Sequence, residues 1–343
     1  MRKNHLLILA SPRTQQRWLD NFSCIPGVND HFISIIVKKL SGCELQDRNT
    51  MLCFDEVDIK NKYEYDSRSK TVYGNSKKMQ VVMARGLVGK WKQIIYFDFS
   101  TQMSKELIER IIIACEKKGL RIRGLTFDLG NHKFQSETEI MKSVHGSFRH
   151  SMTNPADPSR KVYMFPDIPH MIKLMRNHCL DHGLAFLNDT GEYCTLKMED
   201  FKEVLLKDGK ELKLCPKLKP IHLTVQGSLR QRVCLATQLF SHTVAMALLY
   251  HQGKRGETKS KAILTINNYC DTMNSRRMYD AVPYRCGLGI HQDLQIESLL
   301  KMKSLVENMK FCDNMDKKGF LISIESTFAL LKEAQVTVQI YYH

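Results

Sequence analysis

Apolar spacing changes character once along this chain, near residue 200, and that change constrains the fold more than any single motif. Between residues 50 and 130 the spacing is that of strands. TMLCFDEVDI (50–59) alternates and is rich in strand formers, and KTVYG predicts a short strand. KMQVVMARGLVGKWKQIIYFDFS holds two apolar runs, 81–84 and 93–99, with Gly86 and Gly89 between them, which predicts a hairpin. SKELIERIIIACEKKG predicts an amphipathic helix with Ser104 as cap, Glu106 in the first turn and Gly119 as stop. A strand ending at Asp128, a strand KVYMF (161–165) and a helix IPHMIKLMRNHCL with Pro169 near its start follow. Beyond residue 200, MEDFKEVLL, LRQRVCLATQLFSHTVAMALLYH, KAILTINNYCDTMNS and IESLLKMKSLVENMKF all repeat every 3.6 residues. QGKRGETKSK (252–261) reads as a basic, glycine-containing loop. The pattern is an α/β mixed sheet with flanking helices, followed by a mainly α-helical region. Residues 1–45 read as a helical lead-in: Ser11 as N-cap, Pro12 at the first helical position, Trp18 and Leu19 as anchors, and HFISIIVKKL as a second amphipathic segment.

The charge of the chain narrows its partners. Among 343 residues, 51 Lys+Arg stand against 36 Asp+Glu, a formal net charge of +15. That excess favours polyanions, nucleic acid first. No apolar run reaches the ~18 residues that span a bilayer, so no membrane partner is expected. The 11 cysteines show no C-x2–4-C spacing, which excludes a zinc finger or knuckle. His178 and His182 are four apart on a helix, but two ligands do not hold structural zinc.

Two aspartates close apolar strands: Asp55 after MLCF and Asp128 after GLTF. Ligands gather at strand ends in open α/β sheets. Carboxylates from two strands can hold Mg2+, which prefers oxygen, and two such ions would serve phosphodiester chemistry. Aspartates also cap turns for purely structural reasons, and Glu56 and Asp58 are rivals in FDEVD.

Six stretches in order carry a resemblance across nearly the whole chain. They are LCFDEVDIK, GLTFDLGNHK, FPDIPHMIKLMRNHCL, KLKPIHLTVQGSLRQRVCLATQLFS, NNYCDTMNSR and KKGFLISIESTFALL. Together they resemble the P-element transposase family, including its THAP-domain relatives. The resemblance implies an RNase H-like catalytic domain interrupted by a GTP-binding insertion domain. It places a helix-turn-helix-like lead-in at 1–45, the RNase H-like domain at 46–198 and the insertion at 199–343. It implies DNA cleavage and strand transfer in the nucleus, by two metal ions on two aspartates and a glutamate. Asp55 and Asp128 match the aspartates. The family's glutamate lies in a QD-x-x-E-like segment beyond the GFLISIES-like stretch, and the sequence reaches His343 before one; Glu325 in ISIES matches a different segment. The expectation is a transposase block that holds DNA without cutting it, with a transposase oligomer and GTP as its other partners. A non-catalytic, domesticated DNA- and GTP-binding protein is the alternative.

There is no G-x4-GK[ST] phosphate loop, so residue patterns alone propose no nucleotide. The resemblance does. Lys217 matches a phosphate- or base-contacting lysine, Arg232 and Val233 match a Lys-Val pair, and Ser241 matches a polar contact. Asp271 matches the acid that reads guanine, and Asn274 lies one turn on. An aspartate accepting from guanine N1–H and the exocyclic amine is sound chemistry. Cys270 stands where the family has an aromatic for stacking. Elsewhere Lys and Arg recur in KNKYEYDSRSKTVYGNSKK, where Tyr63, Tyr65 and Tyr73 interleave and could lie against DNA.

Overall fold

A computed structural model describes residues 11–14, 17, 24–67, 69–140, 142–144, 147–188, 190–208, 213–275, 277–310 and 317–341. Trp18 and Leu19 lie outside the described residues. Ser11 Oγ accepts from Thr14 N–H at 3.1 Å, the N-cap bond its sequence predicts.

Two compact units form, Met1–Ile122 and Arg123–His343. In the first, β1 (Gly27–Val28) leads into α1 (Asp30–Lys39), which buries Ile33 and Ile36. Then come β2 (Asn49–Asp58), β3 (Glu64–Asp66), β4 (Thr71–Tyr73), β5 (Lys78–Gly86) and β6 (Lys92–Phe99). The expected glycine hairpin is β5–β6, antiparallel, with a bulge between Val82 and Met83. Both glycines sit under Trp91: an added Cβ at Gly86 would lie 2.6 Å from the indole Nε1, and one at Gly89 2.9 Å from Cδ1. The KTVYG strand does form, but it pairs with β3 in a separate two-stranded hairpin. Helix α2 (Lys105–Lys117) starts where Ser104 Oγ accepts from Leu107 N–H at 3.2 Å. It is followed by Gly119 at φ +96°, a conformation glycine adopts without strain.

Strand β7 (Arg121–Phe127) is followed by α3 (His132–Thr138), β8 (Ser143–Val144), β9 (Ser147–Phe148), β10 (Ser151–Thr153), β11 (Lys161–Pro166) and α4 (Ile168–Asp181). The main sheet is a seven-stranded mixed RNase H-like sheet, in the order β1-β6-β5-β2-β7-β11-β10. β7 and β11 run parallel; β10 and β11 run antiparallel. A further hairpin, β12 (Leu184–Leu187) with β13 (Tyr193–Leu196), has no clear alternation in the sequence.

The rest is helical: α5 (Met198–Lys207), α6 (Val233–Leu239), α7 (His242–Gln252), α8 (Lys254–Met273), α9 (Gln292–Asn308) and α10 (Lys318–Tyr341). One apolar cluster joins these helices to α4, with Met175, Cys179, Phe201, Leu239, Leu248, Ile263, Tyr269 and Leu299 among its buried members. Helix α10 also lies along β11: Ser326 Oγ donates to the Met164 carbonyl at 2.6 Å, and Tyr163 Oη donates to Glu333 at 2.5 Å. No single described helix is long and apolar enough to cross a membrane.

Two expectations are corrected. The run 229–251 is not one helix. It breaks between α6 and α7 with a 41° bend, because Ser241 takes an extended conformation (φ −100°, ψ 157°). The supposed loop 252–261 is helical on both sides of a hinge: Gln252 ends α7, Gly253 (φ +55°) is the hinge, and residues 254–261 open α8. Its cations are seated on acids of α5: Lys259 on Asp200 at 2.5 Å, Arg255 on Glu203 at 2.7 Å. Gly256 permits the close crossing, since a Cβ there would meet the Leu248 carbonyl at 2.8 Å.

Candidate functional site

The acids behave differently from simple strand-end residues. Asp55 is not at a strand end: β2 continues to Asp58, and Asp55 pairs with Val81 of β5. Along β2 the buried residues are Thr50, Leu52 and Phe54. Period-two alternation therefore puts Asp55 on the opposite face, with Met51 and Cys53. It is exposed, and its Oδ1 accepts from Glu56 N–H at 2.8 Å. Of its rivals, Glu56 is ion-paired with Lys78 at 2.7 Å, and Asp58 is exposed opposite Lys78.

Asp128 does follow a strand. Its Oδ1 accepts from Gly130 N–H at 3.2 Å in an Asx turn. A Cβ at Gly130 would stand 3.0 Å from Asp128 Oδ2, so glycine keeps that oxygen clear. A neighbouring acid went unnoticed in the sequence. Asp167 N–H donates to the Phe127 carbonyl at 2.8 Å, which docks the start of α4 at the end of β7. Its carboxylate caps α4 by accepting from His170 N–H at 3.1 Å. Burial first, and the charge of Asp128 among the lesser causes, push the Asp167 pKa above the usual carboxylate value of 3.8. An Asp two residues before Pro169 is itself a helix-start signal that could have revealed the cap. Among the described residues no group of three or more His, Cys, Asp or Glu is placed to hold a metal ion. His178 and His182, with rings 5.1 Å apart, form no such group.

Within the second unit a cleft of about 580 Å³ opens between the loop at 216–217 and helices α6, α7 and α8. Its lining includes Lys217, Ser241, Asp271 and Asn274, drawn from three separate stretches of sequence. Arg232, the N-cap of α6, and Val233 are not part of the lining. The volume falls in the range of small-molecule sites. At one side stands the N-terminus of α7, where Ser241, His242 and Thr243 line the cleft. The Ser241 side chain does not cap that helix; its Oγ lies 3.1 Å from Thr243 Oγ1. First-turn N–H groups with no intrahelical acceptor, and the positive end of the helix dipole, suit an anion such as phosphate.

The other side carries Asp271, Asn267 and Asn274. Asp271 Oδ2 accepts from Arg285 Nε at 3.1 Å and from Asn267 Nδ2 at 3.4 Å. Both contacts fall on one oxygen, so Oδ1 keeps acceptor capacity. Sequence reasoning missed Asn267, which opens NNYCDTMNSR, and Arg277 and Arg285, whose only signal was proximity to that stretch. Cys270 does line the cleft; burial, then the Asp271 charge, raises its pKa, so it presents a neutral thiol rather than an aromatic surface.

A buried cation holds the segment 222–229, which reaches the cleft through one lining residue, Gln238. Arg176 of α4 has 0% exposure. Its guanidinium donates to the carbonyls of His222 (2.9 and 3.2 Å), Thr224 (2.8 Å) and Leu229 (3.2 Å), and to Asn177 Oδ1 (3.2 Å). His222 Nε2 lies 2.7 Å from Oε1 of Gln238, itself a lining residue. Sequence inspection gave no hint of this, because an arginine in RNHCL reads as surface charge.

Two family models match the chain. One describes a TNP-like RNase H N-terminal domain, over residues 24–140; the other describes a TNP-like GTP-binding insertion domain, over residues 169–285. The Drosophila P element transposase strand transfer complex superposes with a TM-score of 0.81 at 29% identity, covering 95% of this chain and 74% of that one. Fold and matches together define an RNase H-like transposase core joined to a GTP-binding insertion domain. The Transposable element P transposase of Drosophila melanogaster is 30% identical over 350 residues, covering 97% of this chain and 44% of that protein. DNA transposase THAP9 of Homo sapiens is 21% identical, covering 92% and 38%. This chain belongs to the P-element transposase family, and it spans less than half the length of these two relatives.

Proposed function

We propose that this chain serves P-element-type DNA transposition in the nucleus, binding DNA and a guanine nucleotide. One observation carries the nucleotide reading. Lys217, Ser241, Asp271 and Asn274, assigned to one nucleotide by resemblance, line one cleft. Lys217 and the N-terminus of α7 would hold phosphate, and Asp271 would accept from the Watson–Crick donors of guanine. Arg232 and Val233, outside that lining, would act by shaping the start of α6. Calorimetry of the 343-residue chain with GTP and with ATP tests this. GTP should bind more tightly, and Asp271→Asn should remove the difference. Equal or absent heats for the two nucleotides would refute it.

For DNA, family membership and the +15 charge support the reading. Asp55 and Asp128 are the carboxylates proposed for divalent metal, preferentially Mg2+. Both offer the oxygen donors that such an ion prefers, and Gly130 leaves room beside Asp128 Oδ2. The ions would activate the attacking hydroxyl and stabilise the leaving oxygen. Two of the family's three acids fall within residues 1–343, so this stretch alone should bind DNA and leave it uncut in Mg2+. Cleavage or joining that Asp55→Ala abolishes would overturn that expectation. The same uncut outcome is what the domesticated, non-catalytic reading predicts.

A further inference from the structure

The β3–β4 hairpin presents an aromatic face that the fold does not use. In its register Glu64 pairs with Tyr73 and Tyr65 with Val72, and just beyond the strands Gly74 lies against Tyr63. Cross-strand partners share a face, so Tyr63, Tyr65, Val72 and Gly74 lie on one side and Glu64 and Tyr73 on the other. Tyr73 is the anchor: its ring packs on Phe99, centroids 5.5 Å apart. The opposite face is open, with Tyr63 72%, Tyr65 64% and Val72 61% exposed.

Tyr63 is held in place. A Cβ on Gly74 would lie 2.5 Å from Tyr63 Cδ1 and 2.9 Å from Cγ, so the ring lies across the glycine backbone with its other side to solvent. Strand rise puts side chains two residues apart at about 6.8 Å, room for one planar ring between two others at stacking distance. Residues 58–78 carry six cations (Lys60, Lys62, Arg68, Lys70, Lys77, Lys78) against three acids (Asp58, Glu64, Asp66). Lys60, Lys62, Lys70 and Lys77 are exposed. A positive surface around pre-set aromatic rings fits unstacked bases on a phosphate backbone.

We propose that the Tyr63–Tyr65 face binds single-stranded DNA by base stacking, a proposal that rests on the DNA reading above. The rings supply base contact and the lysines supply phosphate contact, so the two contributions separate experimentally. The test is anisotropy titration of the 343-residue chain with a labelled single-stranded oligonucleotide and with a duplex, across a salt series, folding being checked by circular dichroism. Tyr63→Ala or Tyr65→Ala should weaken single-strand affinity by about 5- to 100-fold with the salt slope unchanged. Duplex affinity should change less than about twofold, because paired bases offer no free ring face. Tyr63→Phe should retain binding. Undiminished single-strand binding by both alanine variants would overturn the stacking proposal and leave the DNA reading intact. No salt-dependent binding of either DNA by the unmodified chain would overturn both. A change in oligomeric state on Tyr65→Ala, with DNA affinity unchanged, would identify a self-contact instead and overturn the proposal.

Discussion

Replacing Arg176 by Met should destabilise the second unit and weaken nucleotide binding together. The guanidinium is wholly buried and its recorded acceptors are three main-chain carbonyls and one amide oxygen, with no carboxylate among them. Burial, then the nearby Arg230 guanidinium, lowers its pKa, but arginine stays charged at neutral pH. Methionine keeps much of the volume and strands the carbonyls of His222, Thr224 and Leu229. A buried acceptor left unmade costs roughly 1–3 kcal/mol, and hydrogen bonds to a charged donor lie at the upper end. Water entering the vacated space recovers part of that, so three carbonyls give about 3–5 kcal/mol. Arg176→Lys should recover less than half, since one ammonium cannot reach all three carbonyls. Urea unfolding with an unchanged m-value gives the stability difference. Calorimetry with GTP should show weaker binding below the transition, because His222 holds the side chain of Gln238, which lines the cleft. A loss below about 1 kcal/mol would refute the view that Arg176 pins the segment 222–229.

Two further outcomes follow from the acids beside β7. Asp167→Asn keeps an N-cap acceptor for His170 N–H while removing a charge that burial and Asp128 disfavour. A carboxyl with a raised folded pKa contributes stability that is fully present below its unfolded value of 3.8 and lost as pH rises through the folded value. The variant should therefore be more stable than the parent at pH 7 and indistinguishable near pH 3; thermal melts at both pH values decide, and destabilisation at pH 7 would refute the assignment. Gly130→Ala should push the Asp128 carboxylate aside, given the 3.0 Å approach to Oδ2. Mn2+ binding followed by electron paramagnetic resonance should weaken severalfold with little change in melting temperature, and undiminished binding would exclude Asp128 as a ligand.

The sequence carried local structure well wherever short-range chemistry decides. The Ser104 cap, the Gly86–Gly89 hairpin and the strand running to Asp128 follow from turn and cap preferences of neighbouring residues. It failed where a distant partner decides. QGKRGETKSK reads as a loop because its charges look solvated, yet Asp200 and Glu203 on α5 give those charges partners and the segment continues α8. The run 229–251 keeps a helical period across Ser241, and only the extended backbone there shows the break that frees an N-terminus for the cleft. Asp55 reads as a strand end because the apolar run stops there. Main-chain pairing with β5, indifferent to side-chain polarity, carries the strand on to Asp58.

What the sequence determined by itself was the class: an α/β half before a helical half, a basic chain, and six ordered stretches naming a family. Periodicity, charge and motif order are one-dimensional properties, and they survive without coordinates. Only the tertiary structure decided which polar residues work together. It gathered Lys217, Ser241, Asp271 and Asn274 into one cleft and added Arg285 and Asn267 to it. It buried Arg176 among the carbonyls of His222, Thr224 and Leu229 and set Asp167 beside Asp128. It also turned Tyr73 inward onto Phe99 while leaving Tyr63 and Tyr65 outside. The physical reason is common to all of these. A side chain's chemistry depends on what is buried with it, and its neighbours in space come from segments tens of residues away.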